Sequence, residues 1–106
     1  MLEDFQAFQL ASEFYQACKS LKMPRFLKDQ LNRASASVAL NLAEGSGKFS
    51  PLEQRRYYGI ALGSMRECEA VLHLEKVNDE NLKQLSRRLG AILFKLAQPD
   101  SLARKP

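Results

Sequence analysis

The chain reads as an all-α protein, an antiparallel up-down-up-down four-helix bundle. Apolar residues recur at steps of three and four in four separate stretches, the period of a helix with one buried face. Short breaks around Pro24, the 45–50 segment, Asn78-Asp79 and Pro99 divide these stretches. No stretch alternates apolar and polar residues as a half-buried strand does. Connections this short make consecutive helices antiparallel neighbours.

The spacing of Phe5, Phe8, Ala11, Tyr15 and Cys18 predicts a first helix from Asp4 to Lys22. Pro24 suits the first turn of a second helix, which runs to Glu44 with Leu27, Leu31, Ala34, Val38 and Leu42 on one face. Its centre, Ala34 to Ala39, is rich in alanine and serine, so a neighbouring helix can approach closely. Gly45 is expected to end it in the left-handed conformation that helix C-termini favour. Ser50-Pro51-Leu52-Glu53 is a capping box with proline at the first helical position. The third helix then extends to about Val77, with Tyr57, Ile60, Ala61, Ser64, Cys68, Val71 and Leu72 inward. Asn78 and Asp79 cap a fourth helix that continues to Gln98, and Leu82, Leu85, Leu89, Ile92 and Leu96 form its seam.

At 106 residues, 45% of them hydrophobic and 26% charged, the chain can bury one core. We expect a single domain over residues 1–98 and a short C-terminal tail over 99–106. The opening MLEDFQAF has neither the basic region nor the apolar run of a signal peptide. No stretch approaches the roughly 20 apolar residues of a membrane span, so a cytoplasmic protein with no membrane partner is expected.

Catalytic constellations are hard to assemble. Cys18 and Cys68 sit within apolar stripes and read as buried thiols, with no metal-ligand spacing around them. The single histidine, His73, has no nucleophile and carboxylate placed to make a triad. Gly47-Lys48 is followed by Phe49, and Leu42 stands where a phosphate-binding loop needs its first glycine. A di-iron bundle needs Glu-x-x-His pairs that are missing. A non-enzymatic protein without cofactor or metal is expected.

Charge placement carries more information. The net charge is +4. Between Lys19 and Arg33, Lys22, Arg25 and Lys28 add further cations against Asp29 alone. Lys48, Arg55 and Arg56 flank the start of the third helix; Lys83, Arg87, Arg88 and Lys95 lie on the fourth. Acidic residues gather between Glu67 and Glu80. Such segregation favours a polyanionic partner, although a basic surface also serves solubility. Phe94 falls on the face opposite the fourth helix's seam, beside Arg87, as either an ordinary exposed apolar residue or an interface anchor.

Residues 30–74, QLNRASASVALNLAEGSGKFSPLEQRRYYGIALGSMRECEAVLHL, closely resemble the four-helix-bundle proteins encoded in bacterial 23S ribosomal RNA intervening sequences. Gln30, Leu31, Arg33, Ala34, Ser37, Asn41, Ala43, Glu44 and Gly45 match the pattern of that family in order. So do Gly47, Ser50, Glu53, Arg56, Ile60, Ala61, Gly63, Ser64 and Glu67. The chain departs at Asn32, where a basic residue is usual, and at Ala39, where a proline is often found. The resemblance implies a homo-oligomer, a pentamer, with a basic surface or channel. The segment SRRLGAILFKL is similar to the end of the accessory variability proteins of diversity-generating retroelements, which share the fold and bind a reverse transcriptase and nucleic acid.

Two readings of the chain follow. In the first, an oligomeric bundle binds RNA or DNA with weak sequence specificity through Arg25, Lys28, Arg33, Lys48, Arg55, Arg56, Arg87 and Arg88. In the second, it is an adaptor that docks a reverse transcriptase or another nucleic-acid enzyme. A structural network at the 45–50 turn is assigned to Asn41, Glu44, Gly45, Ser50, Glu53, Ser64 and Glu67. Asn41 and Glu44 are expected to bond the exposed amides of that turn or to meet Arg33 or Arg56, and Gly63, Ser64 and Ser37 to allow tight helix contact.

Overall fold

The helix-breaking signals fall close to where the chain turns. A computed structural model describes residue 2 and residues 5–99, and within them the chain forms α1 (Gln6–Lys19), α2 (Arg25–Ser46), α3 (Pro51–Leu74) and α4 (Glu80–Leu96). No strand occurs among the described residues. The predicted starting residue of the first helix, Asp4, and the tail beyond Pro99 lie outside the described residues.

Each helix packs chiefly against two neighbours in the ring α1, α2, α3, α4, and the α2–α3 contact is the most extensive. The result is a four-helix bundle with extents of 46 × 23 × 22 Å. Phe14, Leu31, Leu42, Met65, Leu89 and Leu93 are the largest side chains sealed in its centre. Their removal from water is the main force that closes four helices on one another.

The ends of the helices correct several expectations. Pro24 is the N-cap of α2 and not part of its first turn. Gly45 does not terminate α2: the helix continues to Ser46, and no glycine has a positive φ among the described residues. Ser50 caps α3 as expected, its Oγ accepting from the Glu53 amide at 3.3 Å. Asp79 caps α4 through the Leu82 amide at 3.0 Å. The third helix stops at Leu74, short of Val77, because Lys76 turns left-handed at φ 52°. The Val77 amide then reaches back to the Leu72 carbonyl at 3.0 Å and the Lys76 amide to His73 at 3.1 Å, a Schellman closure without glycine. The fourth helix ends at Leu96, before Gln98.

The seams also rotate slightly. In α1, Ala7, Leu10 and Phe14 join Ala11 and Cys18 in the core, while Phe5, Phe8 and Tyr15 are half-buried. In α3, Tyr58 and Met65 take inward places expected of Tyr57 and Ser64, and Ile60 is exposed. In α4, Leu93 is buried, and Ile92 and Leu96 pack against the rim of the core.

Candidate nucleic-acid interface

The basic residues sort into three groups by the elements that carry them. On the first three turns of α2, Arg25 and Arg33 are exposed, but Lys28 is not free. Its ammonium donates to the Cys18 carbonyl at 3.0 Å, to the Lys19 carbonyl at 2.7 Å and to the Leu21 carbonyl. Those carbonyls lie at and just beyond the C-terminal end of α1, where a cation is favoured by the helix dipole. All three ammonium protons are thereby used, so Lys28 is a structural cap for α1 and not a phosphate contact.

The second group surrounds the α2–α3 turn. Lys48 pairs with Glu44 at 3.3 Å across one helical step. Its ammonium lies 5.2 Å from the centre of the Tyr57 ring, and the Arg56 guanidinium lies 5.9 Å from the same ring. Arg56 is exposed and Arg55 partly so. Between them and α2, Phe49 is wholly exposed, at 103% of the reference area, and Leu52 is largely exposed.

The third group lies on α4. Lys83 and Arg87 edge an open cleft of about 270 Å³ between α3 and α4, facing Glu69, His73 and Asp79. Arg88 is exposed outside that cleft. Ser86 also lines it, so the sequence reading missed a serine, a histidine and carboxylates that converge there. No signal along the chain joins residues of two different helices in this way. His73 makes no hydrogen bond to Ser86, Glu69 or Asp79, and the Asp79 carboxylate is occupied in capping α4. Among the described residues, no His, Cys, Asp and Glu side chains gather as a metal site requires.

Phe94 is 53% exposed, beside a groove shared with Leu62, Met65, Arg66 and Gly90. It does not share the cleft of Arg87.

The predicted turn network separates into independent contacts. Glu44, Gly45, Ser50 and Glu53 do stand at or beside the turn. Asn41 does not reach its amides: Nδ2 donates to the Ser37 carbonyl at 2.9 Å and lies 3.0 Å from Ser37 Oγ. Ser37 Oγ in turn meets Ser64 Oγ at 2.8 Å, a polar bridge from α2 to α3. Glu67 accepts from Gln30 Nε2 at 2.6 Å, further along the same pair of helices. Gly45 is buried beneath Tyr58, whereas Gly63 faces open space and plays no part in the close contact.

Lys48–Glu44 is the one salt bridge among the described residues. Arg25, Arg33, Arg55, Arg56, Arg87 and Arg88 therefore have no acidic partner within bridging distance among them. No described helix is long and apolar enough to cross a membrane.

The model of a family described as 23S rRNA-intervening sequence protein matches residues 5–97. No curated protein and no solved structure matches the chain.

Proposed function

The chain belongs to the 23S rRNA-intervening sequence protein family, and on that premise we propose that it is a non-enzymatic, oligomeric nucleic-acid-binding bundle of weak sequence specificity. The observation that carries this reading is the set of arginines with no acidic partner among the described residues. A guanidinium left unpaired is suited to phosphate, which it can meet with two parallel hydrogen bonds. The arginines are spread over α2, α3 and α4, an arrangement that fits contact with an extended backbone better than with one compact ligand. The protein is placed in the cytoplasm on this reading.

The helices run up, down, up and down. Three pairings support opposite directions for α2 and α3: 30 with 67, 37 with 64, and 45 with 58, ascending on one helix as they descend on the other. The oligomer is a pentamer, checked by the mass from light scattering.

The test is anisotropy of labelled random oligonucleotides across a salt series. Each phosphate neutralised contributes about 0.9 to the slope of log affinity against log salt on duplex DNA. A steep slope, weakened by Arg33→Gln and by Arg55→Gln with Arg56→Gln, is the expected result. Undetectable binding at low salt overturns the reading.

One observation favours docking of a protein partner, such as a reverse transcriptase, as a second reading. The half-exposed Phe94 ring, beside a groove that Leu62 and Met65 line together with Arg66 and Glu69, is the form an interface anchor takes. Capture of that partner, lost on Phe94→Ala while the oligomer persists, distinguishes it from phosphate binding.

A further inference from the structure

The α2–α3 turn differs from the rest of the cationic surface because it presents an aromatic ring. Phe49 keeps its full reference area in water, and no neighbouring helix covers it. Arg55 and Arg56 stand on the first turns of the helix that follows. Lys48 and Arg56 both lie within 6 Å of the Tyr57 ring, which holds them on one side of the turn.

We infer that this turn is a platform for unpaired bases of a single strand: Phe49 stacks on a base while Arg55 and Arg56 hold the adjoining phosphates. The inference rests on the nucleic-acid reading above and specifies the form of nucleic acid that this end of the bundle takes. In a duplex the base faces are covered by their neighbours, so a protruding phenyl ring reaches one only by unstacking a step, at a cost of a few kcal/mol. In a single strand every base offers a face, and stacking is tolerant of sequence.

Local electrostatics point the same way. Glu44 neutralises Lys48, and Glu53 lies in the first turn of α3, so the turn carries only a small excess of positive charge. A site of this kind cannot rely on many phosphate contacts. Stacking must supply much of its affinity, and its salt dependence is correspondingly shallow.

The chain contains no tryptophan, so Phe49→Trp places at the turn a lone indole that can be excited apart from the tyrosines. A single-stranded oligothymidine is expected to quench its emission and a duplex of equal length to leave it nearly unchanged. Phe49→Ala is expected to weaken single-strand binding about tenfold or more, with duplex binding preserved, and Phe49→Trp to retain affinity.

Several results overturn the proposal. If single strands bind as tightly to Phe49→Ala as to the parent, without quenching of Phe49→Trp, the platform is wrong while general nucleic-acid binding stands. If Phe49→Ala instead lowers the oligomer mass in light scattering, the ring is a contact to a second copy. If neither strand form binds the parent protein at low salt, the underlying reading fails as well.

Discussion

A methyl group on Gly45 would lie 2.7 Å from Cε1 of Tyr58, so a buried ring closes directly over the backbone of α2. The same methyl would stand 3.2 Å from Cβ of Tyr57, an atom fixed to the backbone of α3. Alanine in a helix interior normally gains about 1 kcal/mol over glycine. Overpacking a tight contact costs about 1–3 kcal/mol. Because one of the obstructing atoms cannot swing aside, the clash is expected to win. Gly45→Ala should lower stability by about 1 kcal/mol in urea unfolding, and adding Tyr58→Leu should recover part of the loss. A higher melting temperature for Gly45→Ala would show that the helices do not approach this closely.

Lys28→Met keeps the aliphatic stem of the side chain and removes the charge from the end of α1. A cation at a partly buried helix C-terminus contributes up to about 2 kcal/mol, and the carbonyls of Lys19 and Leu21 would lose the ammonium donor while that of Cys18 would keep the Leu21 amide alone. The expected outcome is a loss of about 1–2 kcal/mol in chemical unfolding, with oligonucleotide affinity unchanged. Arg33→Gln is expected to behave in the opposite manner. Weakened binding of Lys28→Met at unaltered stability would put that ammonium on the ligand.

The hydroxyls of Ser37 and Ser64 satisfy each other between α2 and α3. Replacing Ser37 strands the Ser64 hydroxyl in a half-buried contact, which costs about 1–3 kcal/mol, whereas replacing Ser64 leaves Ser37 its bond from Asn41 and replacing both leaves no unpaired partner across the helices. Ser37→Ala should therefore destabilise more than Ser64→Ala, and the two changes combined should destabilise less than the sum of the two single changes. Strict additivity of the three unfolding free energies would show that the two hydroxyls are not coupled.

The helices were legible because every turn signal that set them was local. Ser50 and Asp79 reach amides three residues away, so their cap roles could be read along the chain. In α1 two sets of residues satisfy the same spacing, and the facing helices decide in favour of Leu10 and Phe14 over Phe8 and Tyr15. Lys28 looked like surface charge because its acceptors belong to α1, across a break in the chain. Ser86 and His73 likewise meet only after α3 and α4 pack together. Gly45 was identified as special, but for the wrong reason. Its missing side chain serves the approach of a neighbouring ring, and periodicity within one helix says nothing of that.

Lys76 adopts φ 52°, a conformation that costs a residue with a Cβ roughly 1–2 kcal/mol and glycine almost nothing. The Schellman hydrogen bonds hold it there. Lys76→Gly should raise stability by about 0.5–1 kcal/mol, since glycine's greater freedom in the unfolded chain offsets part of the relief. The measurement is the shift in the thermal midpoint with the oligomer mass held constant. No gain would mean that the left-handed turn is not under strain.

Burial lifts the Cys18 thiol from 9.0 to about 12, against the opposing pull of the Lys28 ammonium. Burial also pushes Cys68 upward, with Cys18, Glu67 and Glu69 adding repulsion. The folded state therefore holds its thiol protons more tightly than the unfolded state. Below pH 9.0 both states keep them, and the full stability is present. As pH rises from there toward 12, the unfolded chain ionises first and each thiol removes about 1.4 kcal/mol per pH unit. Tyr58, also raised by burial, contributes with the same sign, so the thiols must be isolated by substitution. Replacing Cys18 and Cys68 by alanine leaves small cavities whose cost is the same at every pH. The parent protein should thus lose on the order of 4 kcal/mol more than the double variant, about 2 for each thiol, between about pH 8 and pH 10.5 in urea unfolding. Parallel stability curves for the two proteins would show that the thiols are not shielded from water by the closed bundle.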